Sequence, residues 1–535
     1  MLRISFVAAL LACSALAQSR PFNFATTNSP AAPFASGGYG DNITGMGDVD
    51  DDGFEDYAVV APGAAMPLGG LDPFGVIYVH SGRDGALLVT MLGDQLGADL
   101  GKAMVSLGDV SGDGVPDLCV GSPSHDFAFG NAGRVTMYSG ADGSLLWSSD
   151  GDGQGLERGT CLAAMPDITG DGVPDVLAGE PGYSVGGLGR GRAVFLNGAT
   201  GATAGEAIGP LALSSFGTTS VGSTSQLAVF VGDAVGRVYM VPAPVAGLAA
   251  PTLFRDKPPG SHVAANLALV PKVSGGLRVA IALTSADVNG NNSGALWLHE
   301  LSGFELFEHA GAVPIASLGA SVARCHDLDG DGEDEVMVTR GNGGALPAVV
   351  EVLRQDGSIQ ETITTTCAGA PTLWSIDDTT GDGRGELMMA YASGLCGLAE
   401  AWLFATGLEV CAASSPAGVT ASSTIDFGAA RAGQDYWQLF SITGTEPGFV
   451  GAGWPLVPLN IDGITTLADS LSGTPVAPDT AGVLDASGRA TTTLDVPASV
   501  APFLSGLPFQ TVAVVLDGTG LEIVATTNPA GWVMP

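Results

Sequence analysis

The chain has 535 residues, too many for one ordinary domain and enough for a large repeat domain with a smaller companion. Glycine is 80 of these, about twice average usage, while charged residues are 14% and apolar residues 46%; this composition excludes a disordered chain and favours many short strands joined by tight turns. The formal charge is -36 with three lysines (Lys102, Lys257, Lys272), which excludes a counterion-displacing surface for nucleic acid and points to bound cations instead.

Arg3 followed by the apolar run Ile4 to Ala12 and the small-residue site Ala15-Leu16-Ala17 reads as an export signal over residues 1–17. The run is too short to span a bilayer, and no later segment reads as a transmembrane helix. Leu10-Leu11-Ala12-Cys13 also resembles a lipoprotein cleavage site, so a lipid anchor at Cys13 is the minority alternative. The expected location is extracellular, cell-surface or periplasmic. Six cysteines follow (Cys119, Cys161, Cys325, Cys367, Cys396, Cys411), none in a C-x-x-C pair, so a zinc site is not expected. A bridge among the last three and six buried thiols are equally open readings.

From residue 48 one motif recurs, D-x-[DST]-x-D-G-x-x-[DE]. Its oxygen-bearing positions are Asp48, Asp50, Asp52 and Asp56, then Asp109, Ser111, Asp113 and Asp117, then Asp167, Thr169, Asp171 and Asp175. Two further copies give Asp327, Asp329, Asp331 and Glu335, and Asp378, Thr380, Asp382 and Glu386. The steps between first residues are 61, 58, 160 and 51, so the long step holds two further repeats without the acidic loop. Their flanks persist: apolar runs Leu227 to Gly232 and Val279 to Leu283, and the glycine-led strands GRVYMV from Gly236 and GALWLHELSG from Gly294. The same glycine-led strand starts at Gly75, Gly133 and Gly191. Each repeat reads as four strands, and seven such units form a propeller that closes on itself and leaves few exposed sheet edges. The blades are expected within residues 18–411, with residues 18–35 supplying a latching strand. A linker of small residues is expected over 412–424 and a small β-sandwich over 425–535, from β-prone runs at Tyr436–Ile442, Ala490–Val496, Thr511–Leu516 and Leu521–Ala525. The fold class expected is all-β: a seven-bladed β-propeller followed by a C-terminal β-sandwich.

Oxygens at positions 1, 3 and 5, a turning glycine at 6 and an acid at 9 suit calcium, which takes six to eight hard oxygen ligands. Turn chemistry alone explains Asp-Gly but not the alternating oxygens repeated five times. About five structural Ca²⁺ are expected, coupled to folding. Asp50 and Asp329 make four-carboxylate sites, whereas Ser111, Thr169 and Thr380 make weaker ones.

The strand, the acidic loop and the following V-x-G-x-P resemble the FG-GAP (VCBS-like) repeat of integrin-α ectodomains and of many secreted bacterial proteins. Leu100-Gly101 and Gly121-Ser-Pro123 carry the "FG" and "GAP" parts, with near matches at Ala61-Pro62-Gly63 and Gly179-Glu-Pro181. The resemblance implies a seven-bladed propeller with calcium loops on one face, and binding or adhesion to an extracellular protein or glycan rather than catalysis. The alternative is a polysaccharide-acting lyase or hydrolase, or its accessory module. The histidines (His80, His125, His262, His299, His309, His326) are scattered, and neither His125-Asp126 nor His326-Asp327 forms a dyad by sequence, since strand neighbours face opposite ways. YSGADGSLLW, Tyr138 to Trp147, resembles a quinoprotein blade unit but occurs once.

Overall fold

A computed structural model gives the architecture. It describes residues 40–62, 74–82, 86–244, 247–256, 263, 265–272, 275–312, 316–327, 333–341, 347–368, 370–376, 386–390, 401–404, 408–415, 418–426, 431, 433–441, 481–486, 489–497, 508–516, 523–526 and 530–533. The expected signal, Cys13 and the latching strand lie outside these. Among the described residues no helix is long and apolar enough to cross a membrane.

The chain is all-β, a propeller of seven small antiparallel sheets with further sheets after it. The innermost strands are Ile43–Gly47, Ala103–Gly108, Leu162–Met165, Thr219–Ser223, Asn266–Pro271, Val322–Cys325 and Thr372–Ile376. Each touches the next, and the last touches the first, so the ring closes at seven. Within a blade the strands run outward in sequence order; in the seventh, three are described, ending at Ala401–Phe404. Thr372 Oγ1 donates to the Asp41 carbonyl at 3.4 Å across the closure.

Seven apolar clusters fill the seven gaps between neighbouring blades. Met46, Val60, Ile77 and Met91 meet Leu118 and Val120 between the first and second. Tyr57 and Tyr78 meet Met388 between the first and seventh. This packing explains the sequence pattern. Second and third strands have a neighbouring blade on both faces, so Asp56–Ala61 and Asp117–Ser122 are buried throughout and, after their first aspartate, read as near-continuous apolar runs. The outermost strands have water on one side, so Leu145–Asp150 alternates, with Trp147 turned inward.

The glycine that leads each third strand has a steric cause. Gly133 and Gly191 have φ of 78° and 72°, and each bridges to the connection entering the next blade, Gly133 to Arg158 and Gly191 to Phe216. A Cβ at Gly191 would lie 2.1 Å from the Phe216 carbonyl oxygen. The FG and GAP glycines pair directly, Gly101 N–H donating to the Gly121 carbonyl at 3.0 Å.

The two blades expected without acidic loops are present. Their second strands are Gln226–Gly232 and Leu277–Leu283, and the third strands are Val238–Val241 and Ala295–Glu300. In the fourth blade Ser223 pairs with Gln226, leaving only a two-residue turn where the acidic loop stands elsewhere. Leu248–Ala249 reaches back to pair in parallel with Thr203–Ile208, a stitch between third and fourth blades.

Residues 412–424 differ from the expected linker. They lie within Leu408–Ser415 and Gly418–Asp426, which pair with each other, and the second pairs with Arg489–Pro497 along its whole length. Small residues form strands when a neighbour supplies the ladder, and Val419, Thr420, Thr424 and Ile425 are β-branched besides. The other sheet holds Asp435–Ser441, Ala481–Val483, Pro508–Leu516, Ile523–Thr526 and Ala530–Val533. Ala490 from the first sheet packs on Tyr436, Leu484, Ala513 and Val515, and Thr492 hydrogen-bonds Gln438, so the two sheets meet face to face.

Candidate functional site

In an up-and-down blade, the turns after strands one and three share one end, and those after strands two and four share the other. The acidic loops follow first strands, so those within the described residues share one face of the ring, beside the turns that follow third strands. Three loops lie wholly within the described residues, at 48–56, 109–117 and 167–175.

The local chemistry is the same in each. The first aspartate caps the loop: Asp109 Oδ1 accepts from Gly112 N at 2.6 Å and Asp113 N at 3.1 Å, and its Oδ2 accepts from Gly114 N at 2.9 Å. Asp167 does the same with Gly170, Asp171 and Gly172, and Asp48 with Asp52 and Gly53. These N–H groups, led by Gly114 and Gly172, hold the exposed Asp109 and Asp167 carboxyls below the usual carboxylate range. The fifth aspartate accepts from the residue two along, as Asp113 Oδ1 does from Val115 N at 2.9 Å. The glycine at position 6 has a positive φ of 90° to 92° in all three (Gly53, Gly114, Gly172), which the sharp turn requires.

The ninth acid has a role that the motif alone did not reveal. Asp56, Asp117 and Asp175 are fully buried. Asp117 Oδ2 accepts from Val110 N at 2.8 Å and Ser111 N at 2.7 Å, while Oδ1 accepts from Gly140 N at 3.0 Å in the turn after the third strand. Asp175 repeats this with Ile168, Thr169 and Gly198, and Asp56 with Val49 and Gly82. One carboxylate therefore ties the acidic loop to the neighbouring turn. The signal for it was present in sequence: an acid opening a largely apolar strand must find donors, and a glycine (Gly82, Gly140, Gly198) recurs just after the third strand of these three blades.

Burial raises Asp56 to about 7 despite its two N–H donors, and the Asp50 and Asp52 carboxylates beside it push the same way. Burial also raises Asp175. In the first loop Asp48, Asp50 and Asp56 each bring one carboxylate oxygen within 4.8 Å of the others. Three converging hard oxygens fit a divalent cation such as calcium, which would offset the cost of burying Asp56 as a carboxylate. In the second loop Ser111 Oγ lies 3.4 Å from Asp109 Oδ1. In the third, Thr169 Oγ1 reaches Asp175 Oδ1 at 3.3 Å, and Asn197 enters from the neighbouring turn. Of the later loops, Asp327 and the buried Glu335 are described; Asp329, Asp331, Asp378, Thr380 and Asp382 lie outside the described residues, as does the side chain of Glu386.

The opposite face is built differently. Leu96, Phe127 and Leu213 are 67%, 67% and 75% exposed there, and Phe129, on the same connection as Phe127, is 46% exposed. Below them runs an ion-pair lattice. Arg134 spans Asp94 and Asp150, and the buried Glu180 holds both Arg158 and Arg192. Arg134 also lies 5.7 Å from the Phe127 ring centre and supports it. His125 Nε2 contacts Asp94 at 3.2 Å in the preceding blade connection, and His326 Nδ1 contacts Ser375 Oγ at 2.7 Å. Cys119, Cys161 and Cys325 are free and buried, and burial raises all three thiols.

The FG-GAP repeat family model matches residues 105–138, the second blade from its first strand through its acidic loop to its third strand. Over 177 residues the chain is 28% identical to integrin alpha-5 of Xenopus laevis, covering 30% of this chain and 16% of that one. It is 27% identical over 158 residues to integrin alpha-V of Gallus gallus (28% and 15%), and 33% identical over 113 residues to integrin alpha-2 of Bos taurus (20% and 10%). The chain thus spans less than a fifth of the length of these relatives. Among solved structures, Sqt1 of Saccharomyces cerevisiae aligns with a TM-score of 0.41 at 12% identity, over 69% of this chain and 96% of that one.

Proposed function

We propose that this integrin-alpha-like chain, with its FG-GAP repeat, is an exported binding scaffold whose acidic loops hold structural calcium and whose opposite face takes an extracellular protein or glycan. The observation that carries the reading is the division of labour between faces. One face concentrates carboxylates in loops whose own N–H groups and ninth acid shape them around an oxygen cluster. The other carries exposed aromatic and aliphatic side chains above a rigid ion-pair lattice, the mixture that binding surfaces use. Calcium would be held by Asp48, Asp50 and Asp56 in the first blade and by the equivalent oxygens of the second, and it would supply charge neutralisation to the scaffold. The protein's own residues do the rest: Asp117 and its counterparts fix the loops to the blades, and Phe127, Phe129, Leu96 and Leu213 present contact area.

The test is retention of the mature protein on arrays of glycans and of extracellular and envelope proteins, in calcium and in chelator. Phe127→Ser with Phe129→Ser should abolish retention without lowering the melting temperature. Retention indifferent to that double change overturns the proposed face. Release of sugar fragments from an arrayed glycan overturns the scaffold reading in favour of a polysaccharide-acting enzyme.

A further inference from the structure

The three fully described acidic loops differ in the turn that packs against them. In the second blade the residue preceding the turn glycine is Ser139, and in the first it is Ser81; in the third it is Asn197. The positions are equivalent: the next residue, Gly82, Gly140 or Gly198, donates its N–H to the ninth acid in each blade. Ser139 Oγ turns back to its own hairpin, accepting from Ala141 N at 3.2 Å. Asn197 reaches across instead. Its Nδ2 donates to Thr169 Oγ1 at 2.8 Å and to Asp171 Oδ2. These are positions 3 and 5 of the motif, two of the oxygens that a cation would need.

The orientation of the carboxamide follows from its partners. Oδ1 accepts from the backbone N–H of Thr200 at 2.8 Å and from Thr200 Oγ1 at 2.7 Å. A backbone N–H can only donate, so the oxygen faces Thr200 and the NH₂ faces the loop. An NH₂ carries positive partial charge and no lone pair for a metal. It satisfies the same oxygens that a cation would satisfy, and it repels a cation approaching them.

We infer that the Asn197 amide takes the place of the cation in the third blade, latching loop 167–175 shut without metal while the first and second loops depend on it. The inference rests on calcium being held by the other loops. It makes the ring's cation dependence uneven in a way the motif does not show, because the third loop has the same acids at positions 1, 5 and 9 as the second.

Hydrogen exchange on the full mature chain, in calcium and after chelation, tests it. In the wild type, chelation should speed exchange at least tenfold for amides in 49–56 and 110–117, and less than twofold for 168–175. Asn197→Asp keeps the acceptor for Thr200 but turns an oxygen toward Asp171. It should make 168–175 fray in chelator by tenfold or more and recover in calcium. Asn197→Ser, which copies Ser139, should also expose 168–175 in chelator. Equal chelator response of the second and third loops in the wild type overturns the latch. So does an unchanged third loop in both variants. If the first and second loops also ignore chelation while Asn197→Ser still exposes the third, calcium dependence of the scaffold fails and the latch stands.

Discussion

Replacing Asp117 with Asn separates the structural role of the ninth acid from metal binding. The side chain is fully buried and accepts three backbone N–H bonds, two from the loop and one from Gly140. An amide can keep the bond from Gly140, but its NH₂ then faces the N–H groups of Val110 and Ser111, donor against donor. Hydrogen bonds to a charged group are each worth roughly 1.5–3 kcal/mol, and the two stranded loop donors recover part of that from water, so the loss should be about 2–4 kcal/mol. Asp113→Asn is the control. Its single loop bond, from Val115 N, survives in the amide, so in chelator it should cost under about 0.5 kcal/mol. A repeat domain of this size moves by under about 2 °C per kcal/mol. Calorimetric melting in chelator should therefore show a drop of roughly 3–6 °C for Asp117→Asn and under about 1 °C for Asp113→Asn. In calcium, Asp113→Asn should lose part of the stabilisation that the wild type gains. Equal shifts for the two variants in chelator would refute the assignment of Asp117 as the tie between loop and turn.

Gly191→Ala should destabilise the propeller by about 2 kcal/mol or more and leave little folded protein, because the added Cβ meets Phe216 backbone at 2.1 to 2.3 Å as well as a positive φ; normal expression and melting would contradict the close approach between the third and fourth blades. Glu351, buried between the fifth and sixth blades, is held below its ordinary value because the hydrogen bonds from His309 and Arg340 outweigh its burial. A depressed carboxyl gives stability that is full above the unfolded value near 4.5 and is lost as pH falls through the lower folded value, so wild type should weaken below about pH 4.5. Glu351→Gln should cost roughly 2–3 kcal/mol at pH 7 and flatten that acid limb in denaturant titrations; an unchanged slope would count against the contact.

The blade count was legible because it rests on short-range patterns. A 160-residue step with surviving flanks at Leu227 and Val279 left room for two blades, and both stand where the flanks placed them. The glycine-led strands were equally readable, since Gly133 and Gly191 answer to a steric need that any blade repeats. What stayed hidden depends on partners distant in sequence. Leu248–Ala249 pairs with a strand some forty residues earlier. Gly418–Asp426 looked like a linker because its partner, Arg489–Pro497, lies far along the chain. Trp147 looked like part of a quinoprotein unit, yet its indole N–H donates to the Gly198 carbonyl of the next blade at 2.7 Å, an inter-blade clasp. Asn197 carried no local signal at all; only the fold brings it beside Thr169 and Asp171.

Divalent cations in the acidic loops should stabilise the seven-bladed ring. Calorimetric melting of the mature chain, stripped of metal and then titrated with calcium, reads that stabilisation. The expected result is a melting temperature that rises with calcium as saturable sites fill, and that falls back on chelation. A melting temperature indifferent to calcium and chelator alike would contradict it.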